Sequence, residues 1–374
     1  MSSDALVITG WSAISAFGLG ADAFAGGLRE GRSGVRPLAA AGTGSGEGGL
    51  GPFEQGGAVP GFEVAEVLGK KGTRSMDRVT ALTVAASGLL LESAGPGLTD
   101  DPDSVGMVLG TGSGSVQSIM DFTRDGLTGD KPYHVDPALF PNTVMNRMAG
   151  LSAIWHGLRG PNATVAAGAL TGLSALNYTA RLQRCGHAGT MLCGAAEELT
   201  PRRAWLEWRA TGGDAAPIGE GCAMFLLESA ADAERGGRAA LATVLGFGFA
   251  AAGPELSLRE ALVRCVRGAL DRAGRDAADV RLVAPSDAQG REGKEERAAL
   301  DEVAGGAVPA VHCREAIGDT GAASAAFQLA AVLAGAADRP GLALVTSVDR
   351  AEGTAGCALF DLPAAAGGGR EKGE

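Results

Sequence analysis

The chain has 374 residues, 45% of them hydrophobic and 20% charged, which is enough to bury a sizeable core in one large or two medium domains. Its net charge of −11 disfavours nucleic acid as a partner, because a phosphate backbone calls for a basic surface, and argues against direct docking of an acidic carrier protein. No run of 18 apolar residues is present and Met1–Ala5 carries no signal-type segment, so the sequence predicts no membrane span and a cytoplasmic protein.

Ala5–Thr9 is a short apolar run ending at Gly10 and predicts a buried strand. Ala21–Glu30 has helical spacing and is closed by Gly31. The Gly-rich stretch Ala39–Gly57 predicts a flexible surface loop. Asp77–Ser93 predicts an amphipathic helix, and Val105–Leu109 a buried strand running into the glycine loop Gly110–Gly114. Pro161–Ala167 predicts a strand and Thr171–Cys185 a helix, with core strands at Met191–Cys193 and Cys222–Leu227. The second half repeats the alternation: strands at Ala240–Phe247, Val280–Val283, Pro309–His312, Leu342–Val345 and Cys357–Phe360, and helices at Leu256–Ala273 and Gly318–Ala334. Strands alternating with helices imply an α/β fold. The tail 364–374 is Gly- and charge-rich and predicts disorder.

Six cysteines, Cys185, Cys193, Cys222, Cys265, Cys313 and Cys357, form no C-x-x-C pair and no metal-ligand spacing with the four histidines. Neither a metal nor another cofactor is expected, and the thiols are expected to be free and mostly buried in a reducing compartment. His312 and Cys313 are adjacent on a predicted strand, so their side chains should point to opposite faces and cannot form a catalytic pair.

Seven collinear segments resemble the β-ketoacyl synthase family: VITGWSAISAFG (Val7–Gly18), GLREGRSGVRPL (Gly27–Leu38), the helix opening at Met76-Asp77-Arg78, VGMVLGTGSGS (Val105–Ser115), FPNTVMNRMAGLSAIWHGLRGPNATV (Phe140–Val165), GEGCAMFLLES (Gly219–Ser229) and IGDTGAAS (Ile317–Ser324). The fourth and fifth are similar to the family's glycine loop and to its dimer-interface segment leading to the nucleophile. The resemblance implies a thiolase-like fold, with two similar α/β halves (1–235 and 236–363) in a layered αβαβα arrangement, and subunits paired through the nucleophile-bearing regions. Arg147, Trp155 and His156 in the interface segment are read as structural.

A decarboxylative condensation needs a thiolate to carry the acyl group, two imidazoles to activate the malonyl thioester, and an oxyanion hole. The resemblance places these positions at Ala169, whose methyl forms no thioester; at Gln289 in DAQG, where the family has NAHG; and at Asp319 in IGDTG, where a carboxylate would repel the enolate. The family's lysine corresponds to Arg314. Its glycine-rich C-terminal loop, which supplies an oxyanion amide, is replaced by DRAEGTAG (Asp349–Gly356). No Cys lies within fifteen residues of Ala169, so no slip of alignment restores a nucleophile there.

Silent copies in this family resemble chain length factors of type II polyketide synthases, which pair as a heterodimer with an active ketosynthase. The resemblance implies that the chain shapes the tunnel for the growing polyketide, with acyl carrier protein reached mainly through the partner. Many such factors carry Gln at the nucleophile position; Ala169 departs from that pattern and points to a polyene-forming synthase. Val116, Ile119, Met120, Phe140, Thr143 and Met145 are, by position, the candidates for tunnel lining and chain-length gating. A stand-alone acyl-binding or scaffold protein is one alternative. A malonyl-thioester decarboxylase on the same fold is another, though it would still need the histidines.

Overall fold

In the computed structural model, residues 3–38, 51–213, 216–349 and 351–364 are described. Most of the stretch expected to be a flexible loop (39–50) and nearly all of the expected disordered tail (365–374) lie outside them.

Among the described residues, one continuous mixed sheet has ten strands: nine along its width and the two-residue strand Gly18–Leu19, which pairs with the end of the first. In chain order the nine are β1 (Leu6–Ser15), β2 (Val105–Gly110), β3 (Asn162–Val165), β4 (Thr190–Glu197), β5 (Gly221–Ser229), β6 (Ala242–Ala251), β7 (Val280–Ala284), β8 (Gly341–Asp349) and β9 (Thr354–Leu362). Their order across the sheet is β7-β8-β9-β6-β1-β5-β4-β2-β3. β2 and β4 are buried along their whole length, and their unbroken apolar sequences reflect cover on both faces. The sheet contains a repeat. In the first half, β2 is parallel to β3 and β4, while β4–β5 and β5–β1 are antiparallel. In the second half, β7 is parallel to β8, while β8–β9 and β9–β6 are antiparallel. The counterpart of β3 in that second half is a single parallel bridge between Val283 and Ala310. Pro309–His312 is therefore not a strand, contrary to the sequence expectation. Proline cannot donate to a ladder, and the segment turns at once into the short helix Arg314–Ile317.

The main helices are α1 (Ala21–Arg29), α2 (Arg78–Ala94), α3 (Val116–Thr128), α4 (Arg147–His156), α5 (Thr171–Arg184), α6 (Pro201–Ala210), α7 (Leu258–Ala273), α8 (Gly290–Ala304) and α9 (Ser324–Ala334). Three apolar clusters assign them to layers. Leu173 and Leu176 of α5 and Phe327–Leu333 of α9 pack between the two halves of the sheet. Helices α2 and α4 cover the outer face of the first half, and α7 and α8 that of the second. The result is five layers, αβαβα. α5 and α9 touch so closely that a Cβ at Gly172 would lie 2.7 Å from the backbone nitrogen of Ala326, so only glycine fits there. Gln328 of α9 donates to the carbonyls of Ala284 (2.7 Å) and Thr346 (2.8 Å), tying this layer to β7 and β8. No helix among the described residues is long and apolar enough to cross a membrane.

Local chemistry sets the helix ends. Asp77 accepts from the Thr80 amide at 2.9 Å and caps α2, which stops at Gly95 with φ +83°. Ser257 and Glu260 form a capping box on α7. Helices α6 and α8, rich in charge, were not foreseen in the sequence. They span Pro201–Ala210 and Gly290–Ala304.

One buried carboxylate joins the first half together. Glu220 accepts both Nε and Nη2 of Arg78 (2.6 Å each) and the amides of Val59 (2.9 Å) and Leu199 (3.0 Å). Truncating it would leave the largely buried Arg78 guanidinium and two amides without their acceptor. Glu220→Ala is expected to destabilise the chain by about 3–5 kcal/mol, read as a fall in the urea midpoint at pH 7, with Glu220→Gln intermediate.

Candidate functional site

Ala169 sits in the turn between β3 and α5, at the end of the sheet where parallel strands deliver their C-termini to helix N-termini. Its amide donates to Asp349 Oδ2 at 2.7 Å, and its carbonyl accepts from Ser347 Oγ at 2.9 Å. Both partners lie at the end of β8. Gly168, with φ +52°, leaves room for the Asp349 carboxylate: a Cβ there would fall 2.0 Å from Oδ2.

Asp319 holds the equivalent place in the second half, just before α9. It forms a close ion pair with Arg314 and accepts from the Gly321 amide at 2.9 Å. Arg314 also donates to the carbonyl of Asp287 at 3.1 Å, linking the 287–289 loop to the 319 turn. Gln289 is exposed and caps the N-terminus of α8 without a side-chain hydrogen bond to it. Beneath that loop, Glu296 of α8 accepts from Ser286 N (2.9 Å), Ser286 Oγ (2.5 Å) and Thr346 Oγ1 (2.6 Å). Burial pushes its carboxyl up.

Ala169, Gln289, Arg314, Asp319 and Asp349 line a single cavity of about 790 Å³. Its wall also includes Val116, Glu197, Arg203 and Leu206, and no histidine is among the lining residues. The Arg203 guanidinium lies 3.6 Å from Glu197 and 3.7 Å from Glu207. Glu197 accepts from the Gly112 amide at 2.5 Å, closing the glycine loop over the cavity, and burial pushes its carboxyl up. These charges are paired internally, and the Ala169 methyl offers no nucleophile.

A smaller cavity of about 360 Å³ adjoins this one, lined by Gln289, Arg297, His312, Asp287 and Glu315 among others. His312 Nδ1 lies 2.5 Å from Asp287 Oδ1, and that hydrogen bond raises the imidazole above its ordinary value. Asp287 has φ +55°, an uncommon conformation for a residue with a side chain. His312 is exposed and Cys313 buried, so the two do not form a pair. Burial pushes Cys193, Cys222 and Cys357 to about 12, Cys265 to about 11 and Cys313 higher still, so none of these is a thiolate at neutral pH. Cys185, by contrast, is exposed.

Of the six tunnel candidates, Val116 lines the larger cavity. Ile119 and Thr143 are half-buried, whereas Met120 lies exposed on α3, Phe140 on the 3₁₀ segment Pro137–Thr143, and Met145 in the turn between that segment and α4. Phe140 packs on Phe122 of α3 with ring centroids 5.9 Å apart. Trp155 packs against the outer core, and the His156 ring bonds the Val84 carbonyl at 2.9 Å. Sequence reasoning missed Glu197 and Arg203, and named Asp349 only as the first residue of the loop that replaces the family's oxyanion loop. The pair Glu197-Glu198 ending an apolar run was the one visible signal.

Comparison with known proteins gives the following. Residues 3–233 match the family model described as "Beta-ketoacyl synthase, N-terminal domain". A 3-oxoacyl-[acyl-carrier-protein] synthase 2 of Vibrio harveyi is 28% identical over 214 residues, covering 52% of this chain and 51% of that protein, so the match spans about half the length of this curated relative. The solved structure of the ishigamide ketosynthase/chain length factor is 40% identical, with a TM-score of 0.86, covering 96% of this chain and 99% of that one. A β-ketoacyl synthase from Burkholderia phymatum STM815, 21% identical with a TM-score of 0.82, shares the fold over 96% of this chain and 100% of its own.

Glu198 makes α3 sensitive to pH. It accepts from Gln117 N (3.0 Å), Ser115 Oγ (3.0 Å) and Thr200 Oγ1 (3.1 Å), joining the N-terminus of α3 to that of α6, and burial pushes its carboxyl up to about 7. The folded chain thus holds this proton more tightly than the unfolded chain does. That contribution to stability is fully present below the ordinary value of 4.5 and is lost as pH rises through about 7. The loss is on the order of 3 kcal/mol at about 1.4 kcal/mol per unit. Urea unfolding between pH 5 and 8 should show this decline, and Glu198→Gln should make it shallower, with Glu197 and Glu296 supplying the remainder, while raising stability at pH 8.

Proposed function

The chain belongs to the β-ketoacyl synthase family, and from that premise we propose that it is a chain length factor: a subunit without condensing activity of its own that pairs with an active ketosynthase in a type II polyketide synthase and shapes the acyl tunnel. The observation that carries this is Ala169. A methyl group stands at the head of α5, in a cavity whose other candidate positions hold Gln289 and Asp319. The 40% identity to the ishigamide ketosynthase/chain length factor supports the same reading. A malonyl-thioester decarboxylase would need an imidazole in this cavity, and the lining residues include none.

The surface supports pairing. Leu139, Phe140, Val144, Met145 and Ile154 are exposed along one stretch of chain, Ile154 at 77%. Contiguous apolar exposure of this kind marks a contact surface. β3 lies at the edge of the sheet in the same region and leaves ladder groups open to a second strand. A ketosynthase seated here would cover Met120, Phe140 and Met145 and turn their side chains from surface into tunnel wall, with Val116 connecting them to the cavity. The growing polyketide would lie along this seam, and the acyl carrier protein would deliver units through the partner.

Co-expression with the cognate ketosynthase, followed by size exclusion and a condensation assay, tests the proposal. The chain alone should form no carbon–carbon bond, and a 1:1 complex should. Equal ketosynthase activity with and without this chain would overturn it. Within an active complex, Phe140→Ala and Met120→Ala should lengthen the main product and Met145→Trp should shorten it, by one or two two-carbon units in the product mass spectrum.

A further inference from the structure

The turn at Ala169 contains an anion of the protein's own. Asp349 Oδ2 accepts the Ala169 amide at 2.7 Å, Oδ1 accepts the Glu352 amide at 3.0 Å, and the residue is buried, with a relative exposure of 9%. It rests where Gly168 has no side chain, and Ser347, two residues earlier on β8, holds the Ala169 carbonyl. The amide therefore points at a negative charge from the head of a fourteen-residue helix, the place where backbone N–H groups and the helix dipole bind anions.

Were residue 169 a nucleophile, its attack on a thioester would put negative charge on the carbonyl oxygen within reach of its own amide, as in other oxyanion holes. Here that amide is already taken. We propose that Asp349 is a built-in plug of the oxyanion site, so that the pocket is closed to acyl chemistry independently of the missing thiol. This rests on the reading of the chain as a silent subunit and extends it: the silence has two separate causes, and restoring a cysteine alone does not reverse it. The carboxylate blocks by occupying the donor and by repelling both a thiolate and the tetrahedral oxyanion.

The test installs the thiol with and without the plug. Full-length Ala169→Cys, Ala169→Cys/Asp349→Asn and Ala169→Cys/Asp349→Ala are incubated with octanoyl-N-acetylcysteamine, and acylation of residue 169 is followed by peptide mass spectrometry. In the step assayed, Sγ attacks the thioester carbonyl carbon and a new C–S bond forms. The tetrahedral oxyanion then collapses, the original C–S bond breaks, and N-acetylcysteamine leaves with the proton given up by the cysteine.

The single variant is expected to acylate only slowly. The Asp349→Ala double variant should acylate ~10²-fold faster, the scale of one oxyanion donor. The Asp349→Asn double variant, which loses the charge but keeps an acceptor, should fall between; being nearly isosteric, it carries the test if the alanine form fails to fold. Alkylation of residue 169 by chloroacetamide should move to lower pH in the asparagine form, a shift that a merely structural Asp349 would not produce. Equal acylation with and without Asp349, or none in either double variant, would overturn the plug. No partner subunit enters this assay, so its outcome is distinct from that of the co-expression experiment.

Discussion

The close approach of α5 and α9 is the constraint on which the rest of the molecule depends. Two sheet halves can share one central layer only if the helices inside it are thin, and the sequence meets this with Gly172 against Ala325 and Ala326. Most of α9 is small or aliphatic, SAAFQLAAVLA, and its one amide, Gln328, is spent on two strand carbonyls. Once those helices are fixed, so are their heads. Ala169 precedes one and Asp319 precedes the other, at matching points in the two halves of the repeat. The cavity between them follows from the packing.

Much of this was legible in sequence. Unbroken apolar runs marked β2, β4 and β5, and apolar spacing marked α2 and α7, because burial on one or both faces leaves a local imprint. Ala169, Gln289 and Asp319 could be placed from the family resemblance, and they line one cavity. Elements stabilised by charge were not legible. α8 has a polar face bonded to α7 through Arg259 and Arg267 with Glu302, and such a helix lacks a broad apolar stripe. Pro309–His312 shows the opposite failure, an apolar-looking segment whose proline and following helix limit it to one bridge. Asp349 was legible as the start of a replaced loop but not as a partner of Ala169, which lies 180 positions away in the chain.

The cavity wall also shows how a site can keep its shape while its charges are turned inward. Arg314 faces Asp319, Arg203 lies between Glu197 and Glu207, and Asp349 faces the head of α5. Each pair satisfies groups that would otherwise be buried without a partner, which is costly in a low-dielectric interior. Active chemistry would require some of these groups to be left free for a substrate. The internal pairing thus favours a rigid wall over a reactive one, which suits the proposed role of shaping a tunnel.

The unequal ends of the sheet set its valence. A sheet with a good edge at both ends can add neighbours without limit, and filaments grow that way. Here β3 offers four residues of edge at one end, while beyond β7 the strand that would complete the second half has shrunk to the Val283–Ala310 bridge, headed by a proline. One extendable edge permits a single edge-to-edge union and no propagation. In the proposed pairing, the chain would close as a pair rather than extend through its sheet.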